Sequence, residues 1–367
     1  MSGMFDPENL AQVVQHGFDD VIDVRSPAEF AEDHLPGAIN LPVLDNEERA
    51  RVGTIYKQQS PFRARKLGAA LVFRNAAHHV ETVLAKHDGS WRPLVYCWRG
   101  GQRSGAFTWM LKEIGWRAET LQGGYRSFRR MVAGALYDAP LPHRLIQLGG
   151  YTGTAKTALL QRLRDKGVQV LDLEDLARHR GSLLGDLGQP QPSQKAFETA
   201  LGLALNRLDA TRAVLVEAES SKIGAITLPP ALWQAMKAAP WIIVEAPLDA
   251  RAAYLAQAYA SVLTDRDALR DKLSALRRHR GHAVVNRWFA LIDSGDREAL
   301  CRALASEHYD PAYEKSLQAR NPTVAQRFET HALTETALDK LAAQVARSLH
   351  RMDTTPVSVT RPMTAAS

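Results

Sequence analysis

Two α/β domains, each built on a parallel sheet and the second carrying a helical extension, are predicted by three features of the sequence. The chain has 367 residues, more than one ordinary domain needs to bury a core. Short apolar strands alternate with helix-length stretches, the pattern of a parallel sheet with helices on its faces. Two of the strand-to-helix junctions have the composition of anion-holding loops, one opening on a cysteine and one rich in glycine.

The first domain is assigned to residues 1–140. Its strands are read at Asp20-Val21-Ile22-Asp23-Val24 and Pro93-Leu94-Val95-Tyr96, with a basic helical stretch between Glu47 and Lys86 and a helix from Ser104 to Ile114. Pro140 and Pro142 mark the boundary. The second domain, residues 141–352, has strands at Leu145–Leu148, Val168–Leu171, Ala213–Val216 and Trp241–Val244. From Asp265 to Ser316 the spacing is helical and charged, and an amphipathic helix is placed at Glu335–Met352. The tail, residues 353–367, is rich in Thr, Pro, Ser and Ala and reads as disordered.

Composition narrows the class. Hydrophobic residues at 45% and charged residues at 23% fit a globular protein in water. No apolar run approaches the ~18 residues that span a bilayer. The start, Met1 to Glu8, has neither the basic nor the apolar region of a secretory signal, so no membrane partner and a cytoplasmic location are expected. Only two cysteines, Cys97 and Cys301, are present, which excludes a disulfide framework and a cysteine-built zinc site. Cys301, in Glu298-Ala299-Leu300-Cys301-Arg302-Ala303-Leu304, reads as a core residue. The net charge of +6 favours a polyanionic partner. Three clusters, Arg63-Ala64-Arg65-Lys66, Arg126-Ser127-Phe128-Arg129-Arg130 and Arg277-Arg278-His279-Arg280-Gly281-His282, make RNA a candidate.

In the cysteine loop, Cys97-Trp98-Arg99-Gly100-Gly101-Gln102-Arg103, backbone N–H groups and the start of the following helix converge on one point. Arg99 and Arg103 add full positive charge, so the Cys97 thiol should ionise easily and an anion beyond its sulfur should be held. The Cys-x5-Arg spacing suits a phosphatase as well as a carrier of sulfur or selenium.

The second loop, Gly150-Tyr151-Thr152-Gly153-Thr154-Ala155-Lys156-Thr157, is a P-loop pattern. Gly150, Gly153 and Thr154 would wrap phosphate with backbone N–H groups, Lys156 would reach the terminal phosphates, and the Thr157 hydroxyl would meet Mg²⁺. The pattern expects glycine where Ala155 stands, and alanine suits the loop if its φ stays negative. Glu217 and Glu219 follow a strand at the place where nucleotide hydrolases carry a magnesium-binding aspartate. Asp172 and Glu174, alternating as the chain leaves a strand, and His179 and Arg180 are further candidates around the phosphate. No metal site is certain, and diphosphate binding is expected ahead of ATP turnover.

Asp23-Val24-Arg25-Ser26-Pro27-Ala28-Glu29-Phe30, His34-Leu35-Pro36-Gly37-Ala38-Ile39-Asn40-Leu41-Pro42, the cysteine loop and Leu121-Gln122-Gly123-Gly124-Tyr125, in that order, resemble a rhodanese domain. Rhodaneses carry sulfur or selenium on the loop cysteine. Joined to a P-loop NTPase-like domain, the chain resembles the tRNA 2-selenouridine synthases. The motifs that carry this are the cysteine loop, His179-Arg180-Gly181-Ser182, Val216-Glu217-Ala218-Glu219-Ser220 and His308-Tyr309-Asp310-Pro311-Ala312-Tyr313. The resemblance implies exchange of sulfur for selenium in wobble 2-thiouridine, in the anticodon region of tRNA. Selenophosphate and geranyl diphosphate would be co-substrates, with a selenophosphate-supplying enzyme as partner. A plain rhodanese-type sulfurtransferase, a Cys-x5-Arg phosphatase and an RNA-binding module without catalysis are the alternatives.

Overall fold

The computed structural model describes residues 3–181, 185, 188–260 and 262–354, the side chains of 353 and 354 excepted. The chain divides into two compact units. One runs through Ala139 and adds Pro192–Arg207; the other takes Pro140–Gln191 and the chain from Leu208 onward.

The first unit holds five strands, β1 (Met4–Phe5), β2 (Asp20–Asp23), β3 (Ala38–Asn40), β4 (Pro93–Tyr96) and β5 (Glu119–Leu121). They pair in parallel in the order β1-β5-β4-β2-β3. Central β4 is buried at every position, which is why its sequence is an apolar run and not an alternation. The basic helical stretch is two helices, Asn46–Gln58 and Pro61–His79. Ser60 caps the second by accepting from the Arg63 N–H, and Pro61 fits its first turn. That helix buries Ala64, Gly68, Leu71, Val72 and Ala76, one face at helical spacing, with Leu71, Val72 and Ala76 in the core that holds Val95, Phe107 and Leu111.

Beneath this sheet end lies a buried ion pair. Arg25 and Asp23 are 1% and 0% exposed. Arg25 Nε donates to Asp23 Oδ1 at 3.0 Å, and Nη2 donates to Asp23 Oδ2 at 2.6 Å and to the Asp33 carbonyl at 2.7 Å. Its guanidinium carbon also lies 3.9 Å from the centroid of the Tyr125 ring.

Residues 192–207 depart from the domain division read in the sequence: they belong to the first unit. Helix Gln194–Asn206, capped by Ser193, buries Phe197, Leu201 and Leu205 and so needs an apolar partner. It also supplies polar partners to that unit. The Thr199 hydroxyl donates to Asp33 Oδ2 at 2.8 Å, while Glu198 pairs with Arg129 and accepts from the Tyr137 hydroxyl. A linear reading cannot see that these partners lie some 60 or more residues away.

The second unit has strands β6 (Arg144–Gly149), β7 (Gln169–Leu171), β8 (Ala213–Glu217), a hairpin of β9 (Lys222–Ile223) and β10 (Ile226–Thr227), then β11 (Trp241–Glu245) and β12 (Val324–Glu329). The parallel sheet has the order β12-β11-β6-β8-β7. Strand β12 has no apolar signature because it is an edge, largely solvated strand. Helix Glu335–Thr354 packs Leu338, Leu341, Val345 and Leu349 against Leu159, Leu160 and Leu163 of helix Lys156–Asp165. It runs two residues past Met352, and the remaining tail from 355 lies outside the described residues. The stretch from Asp265 to Ser316 is a set of short helices around buried Trp288, and Cys301 packs in that core. No helix among the described residues is long and apolar enough to cross a membrane.

Truncating Asp23 strands a buried guanidinium. Asp23→Ala is therefore expected to destabilise the protein by about 3–5 kcal/mol, read as a lowered midpoint in urea unfolding followed by tryptophan fluorescence. An unchanged midpoint would contradict the clamp.

Candidate active sites

Each sheet ends its central strand in an anion cradle, as open parallel sheets do at the carboxyl ends of strands where the order turns. In the first unit, β4 delivers Cys97 and helix Gln102–Ile114 follows. The Cys97 carbonyl accepts from the Tyr125 N–H at 2.9 Å, and the Trp98 carbonyl accepts from the Arg126 N–H at 3.0 Å. This places the Gly123-Gly124 turn directly against the loop: Gly124 has φ +60°, and any side chain there would collide with the Cys97 carbonyl. Gly123, at φ +69°, is constrained separately, since a Cβ there would lie 2.9 Å from Ser127.

The Cys97 thiol is almost fully buried, which by itself raises its pKa. The rise is outweighed by the hydroxyl and N–H of Ser104, the Arg103 charge and the Arg99 N–H, so the thiol ionises below its ordinary value. Ser104 Oγ donates to Cys97 Sγ at 3.2 Å. The two arginines differ from their equal billing in the sequence. Arg103 Nη1 is engaged with Glu29 Oε2 at 2.9 Å, which holds the Glu29 carboxyl below its usual pKa against the effect of burial. Arg99 is exposed, and no ion pair with a described residue engages it. Ser104 was missed as a functional residue. Its position one turn into the helix is the signal that could have found it.

In the second unit, β6 leads into residues 150–155 and then helix Lys156–Asp165. Ala155 sits at φ 58°, ψ 33°, in the left-handed region, contrary to the expected negative φ. The turn into the helix dictates this geometry whichever residue occupies it. The strain of about 1–2 kcal/mol is offset only in part by burial of the methyl group in the core that includes Leu159 and Leu160, about 0.8 kcal/mol. Gly153, at φ +87°, has no such latitude, since a Cβ would lie 2.8 Å from Leu255.

Lys156 Nζ reaches back to the carbonyls of Gly150 at 2.9 Å and Tyr151 at 3.3 Å. Burial lowers its pKa, opposed by Glu174, Glu219 and Glu217. Thr157 Oγ1 donates to Glu174 Oε2 at 3.1 Å. Thr154 is buried with its hydroxyl on the Tyr151 carbonyl at 2.9 Å, so its side chain braces the loop.

The acidic and basic candidates separate. Glu174, Arg180 and Glu219 line a cleft of about 410 Å³ over the loop; Asp172, His179 and Glu217 do not. Asp172 does not alternate with Glu174 on a strand. Strand β7 ends at Leu171, and Asp172 caps the short helix Leu173–Ala177, accepting from the Asp175 N–H at 2.9 Å. His179 accepts the Gly181 N–H at 3.1 Å, and Arg180 donates to the Ala258 carbonyl at 3.1 Å. Ser182 lies outside the described residues. Glu217 accepts the Leu173 N–H at 2.8 Å through Oε2, while its buried Oε1 has no partner. Burial, then Asp172 and Glu174, holds its pKa well above the carboxylate range. Burial and Glu219 push Glu174 up to about 7.

Glu174, on the Thr157 hydroxyl, and Glu219 in the same cleft are the residues that could hold a divalent cation together with phosphate oxygens; Glu217, outside the cleft, has no partner for its buried oxygen among the described residues. Among the described residues no cluster of three or more His, Cys, Asp or Glu would hold a metal unaided.

The cleft's other wall was not assigned from sequence: Tyr254, Leu255, Ala258, Tyr259, Tyr309 and Tyr313. The Gly150 N–H donates to Tyr313 Oη at 2.9 Å. Buried Arg251 donates to the Thr152 carbonyl at 3.1 Å and to Asp310 at 2.9 and 2.7 Å. The segment 308–313 is thus fastened to the phosphate loop.

A buried thiol in a strand-to-helix loop of one unit and a phosphate-loop pattern in the other define a two-domain protein of rhodanese-like and P-loop-like units. A rhodanese-like domain model matches residues 6–131, and a model described as the tRNA 2-selenouridine synthase AAA domain matches residues 143–344. A tRNA 2-selenouridine synthase of Chromohalobacter salexigens is 37% identical over 331 residues, covering 81% of this chain and 88% of that protein. One from Cupriavidus pinatubonensis is 32% identical, covering 86% and 93%, and one from Bdellovibrio bacteriovorus 32%, covering 89% and 98%. The chain belongs to the tRNA 2-selenouridine synthase family.

Two measurements test these sites. Cys97 and Cys301 are 4% and 6% exposed, so access does not separate them. Ionisation does, because burial and Glu298 push Cys301 up to about 11. Iodoacetamide at pH 7.5 is expected to label Cys97 first by peptide mass spectrometry, and Ser104→Ala to slow that labelling; preferential labelling of Cys301 would refute the ordering. Glu174 has a raised folded pKa, so its contribution to stability falls as pH rises from its unfolded value of about 4.3 towards about 7. Glu174→Gln should raise the melting temperature at pH 8 without magnesium, with the gain shrinking at pH 5. A gain independent of pH would rule out the charge crowding.

Proposed function

We propose that this protein exchanges sulfur for selenium at C2 of 2-thiouridine in the wobble position of tRNA. Selenophosphate is the donor, and the sulfur is first alkylated with geranyl diphosphate. The observation that carries this reading is the cleft over the phosphate loop, where Lys156 and the loop stand opposite Tyr254, Leu255, Ala258, Tyr259 and Tyr309. A phosphate grip facing an apolar, aromatic wall suits a diphosphate joined to a hydrocarbon. The family's name supplies tRNA and the selenouridine product.

In the first step the thiocarbonyl sulfur forms a bond to C1 of the geranyl chain as the C1–O bond breaks. Pyrophosphate leaves with the electron pair, loop N–H groups with Lys156 stabilise its charge, and N3 of the base releases its proton to solvent so that the S-alkylated ring is neutral. Mg²⁺, which the Thr157 hydroxyl and Glu174 with Glu219 would hold, would supply further charge neutralisation on the phosphates. The alkylated sulfur is now a good leaving group. Selenium of selenophosphate attacks C2, the C2–S bond breaks, and geranylthiol departs after gaining a proton. Water then cleaves the Se–P bond to release phosphate. The Cys97 cradle, with loop amides, Ser104, Arg99 and Arg103, guides the selenium anion. A selenophosphate-producing enzyme must supply the donor.

Mass spectrometry of tRNA nucleosides from selenite-grown cells separates the two halves. Cys97→Ala should abolish selenouridine and spare S-geranyl-thiouridine. Lys156→Ala should reduce geranylation by about 10²-fold or more. Loss of both products in Cys97→Ala, with both retained in Lys156→Ala, would overturn the assignment.

A further inference from the structure

The three arginine-rich clusters of the sequence have different fates in the fold. In Arg126–Arg130, Arg129 is bound to the buried Glu198, and the aromatic residues of that helix, Tyr125 and Phe128, are buried. In Arg277–His282, Arg277 bonds Asn286 at 3.0 Å, and Arg280 bonds the His308 ring at 3.1 Å and its carbonyl at 2.8 Å. The remaining cluster opens helix Pro61–His79, which has four Lys or Arg residues and no Asp or Glu. Arg63, Lys66 and Arg74 are exposed, and none is in an ion pair with a described carboxylate.

Aromatic rings collect on the same surface. Phe62 is 67% exposed, Phe73 40% and Trp109, from helix Gln102–Ile114, 55%. The Phe73 and Trp109 rings meet edge to face at 6.1 Å, and the Lys66 ammonium lies 5.9 Å from the Phe62 ring centroid. The helix has already buried its apolar face through Ala64, Leu71, Val72 and Ala76, so these rings are surplus to the core. Phe62, Lys66 and Phe73 follow one stripe at i, i+4 and i+11, and Arg63 and Arg74 follow the next. Cations and rings therefore alternate over about 16 Å of helix.

We propose that this face of helix Pro61–His79, completed by Trp109, binds unpaired nucleotides of the tRNA. Bases stack on Phe62, Phe73 and Trp109, and phosphates pair with Arg63, Lys66 and Arg74. An acidic protein would use the cations but gain little from three exposed rings, whereas a single-stranded RNA uses both. The proposal rests on the tRNA reading above and adds where the RNA is held.

The test is binding of the full-length protein to bulk tRNA and to a single-stranded RNA, by fluorescence anisotropy from 50 to 200 mM KCl. Replacing Phe73 and Trp109 together by alanine should weaken binding about tenfold with the salt slope unchanged. Replacing Arg63, Lys66 and Arg74 by glutamine should weaken binding and reduce the slope of log K against log[KCl] by about 2. Arg126→Gln with Arg130→Gln serves as the basic control and should change little. All substitutions are at exposed positions, and unchanged thermal melts confirm that the variants are folded. Both face variants binding like the wild type would overturn this surface alone and leave the reaction standing. Wild-type protein without tRNA affinity would sink both. Competition by polyglutamate as strong as by RNA would mark the face as a site for acidic protein and refute the proposal.

Discussion

In each unit a buried arginine, gripped bidentately by an aspartate, holds the anion cradle in shape. Arg25 and Asp23 lie below the cysteine loop, and the guanidinium packs on Tyr125, whose N–H fixes the Cys97 carbonyl. Arg251 and Asp310 flank the phosphate loop, and Arg251 donates to the Thr152 carbonyl. The role follows from the cost of burying charge. Such pairs add little net stability over an apolar core, but breaking one is severe, so the loop they tie has few alternatives of comparable energy. Preorganised N–H groups can then face an anion without reorganising.

The two cradles resolve the electrostatics differently. Around Cys97, hydrogen-bond donors and one shared arginine outweigh burial and favour the anion. Around Lys156, carboxylates crowd one another and one lysine, and the buried Glu217 Oε1 lacks a partner. In the first site the donors around the sulfur favour its thiolate form. The second leaves its carboxylates crowded against one another, with Glu174 raised to about 7.

The sheets and both loops were legible because their determinants are local. An apolar run such as Pro93–Tyr96, followed by cysteine and glycine, specifies strand and loop within a dozen residues. Edge strand β12 was not legible, since a half-solvated strand has no apolar run. Nor was the placement of helix Gln194–Asn206, whose partners Asp33 and Arg129 are distant in the chain. For Ala155 identity was legible and conformation was not: its positive φ belongs to the turn that caps helix Lys156–Asp165. The tyrosine wall of the cleft was hidden for another reason. Tyr254 and Tyr259 come from one helix and its C-terminal cap, Tyr309 and Tyr313 from a segment far along the chain, and aromatic residues there are as readily core as lining.

The sequence by itself determined the two α/β units, the thiol and the phosphate loop, because each is encoded by contiguous residues and their backbone preferences. Tertiary structure alone decided how charge is distributed among them. Of two loop arginines it engaged Arg103 with Glu29 and left Arg99 exposed. Of three basic clusters it bound residues of two into the fold and left the helix beginning at Pro61 open to solvent. Pairing and burial depend on which distant groups the packing brings within a few ångströms, and no local pattern carries that information.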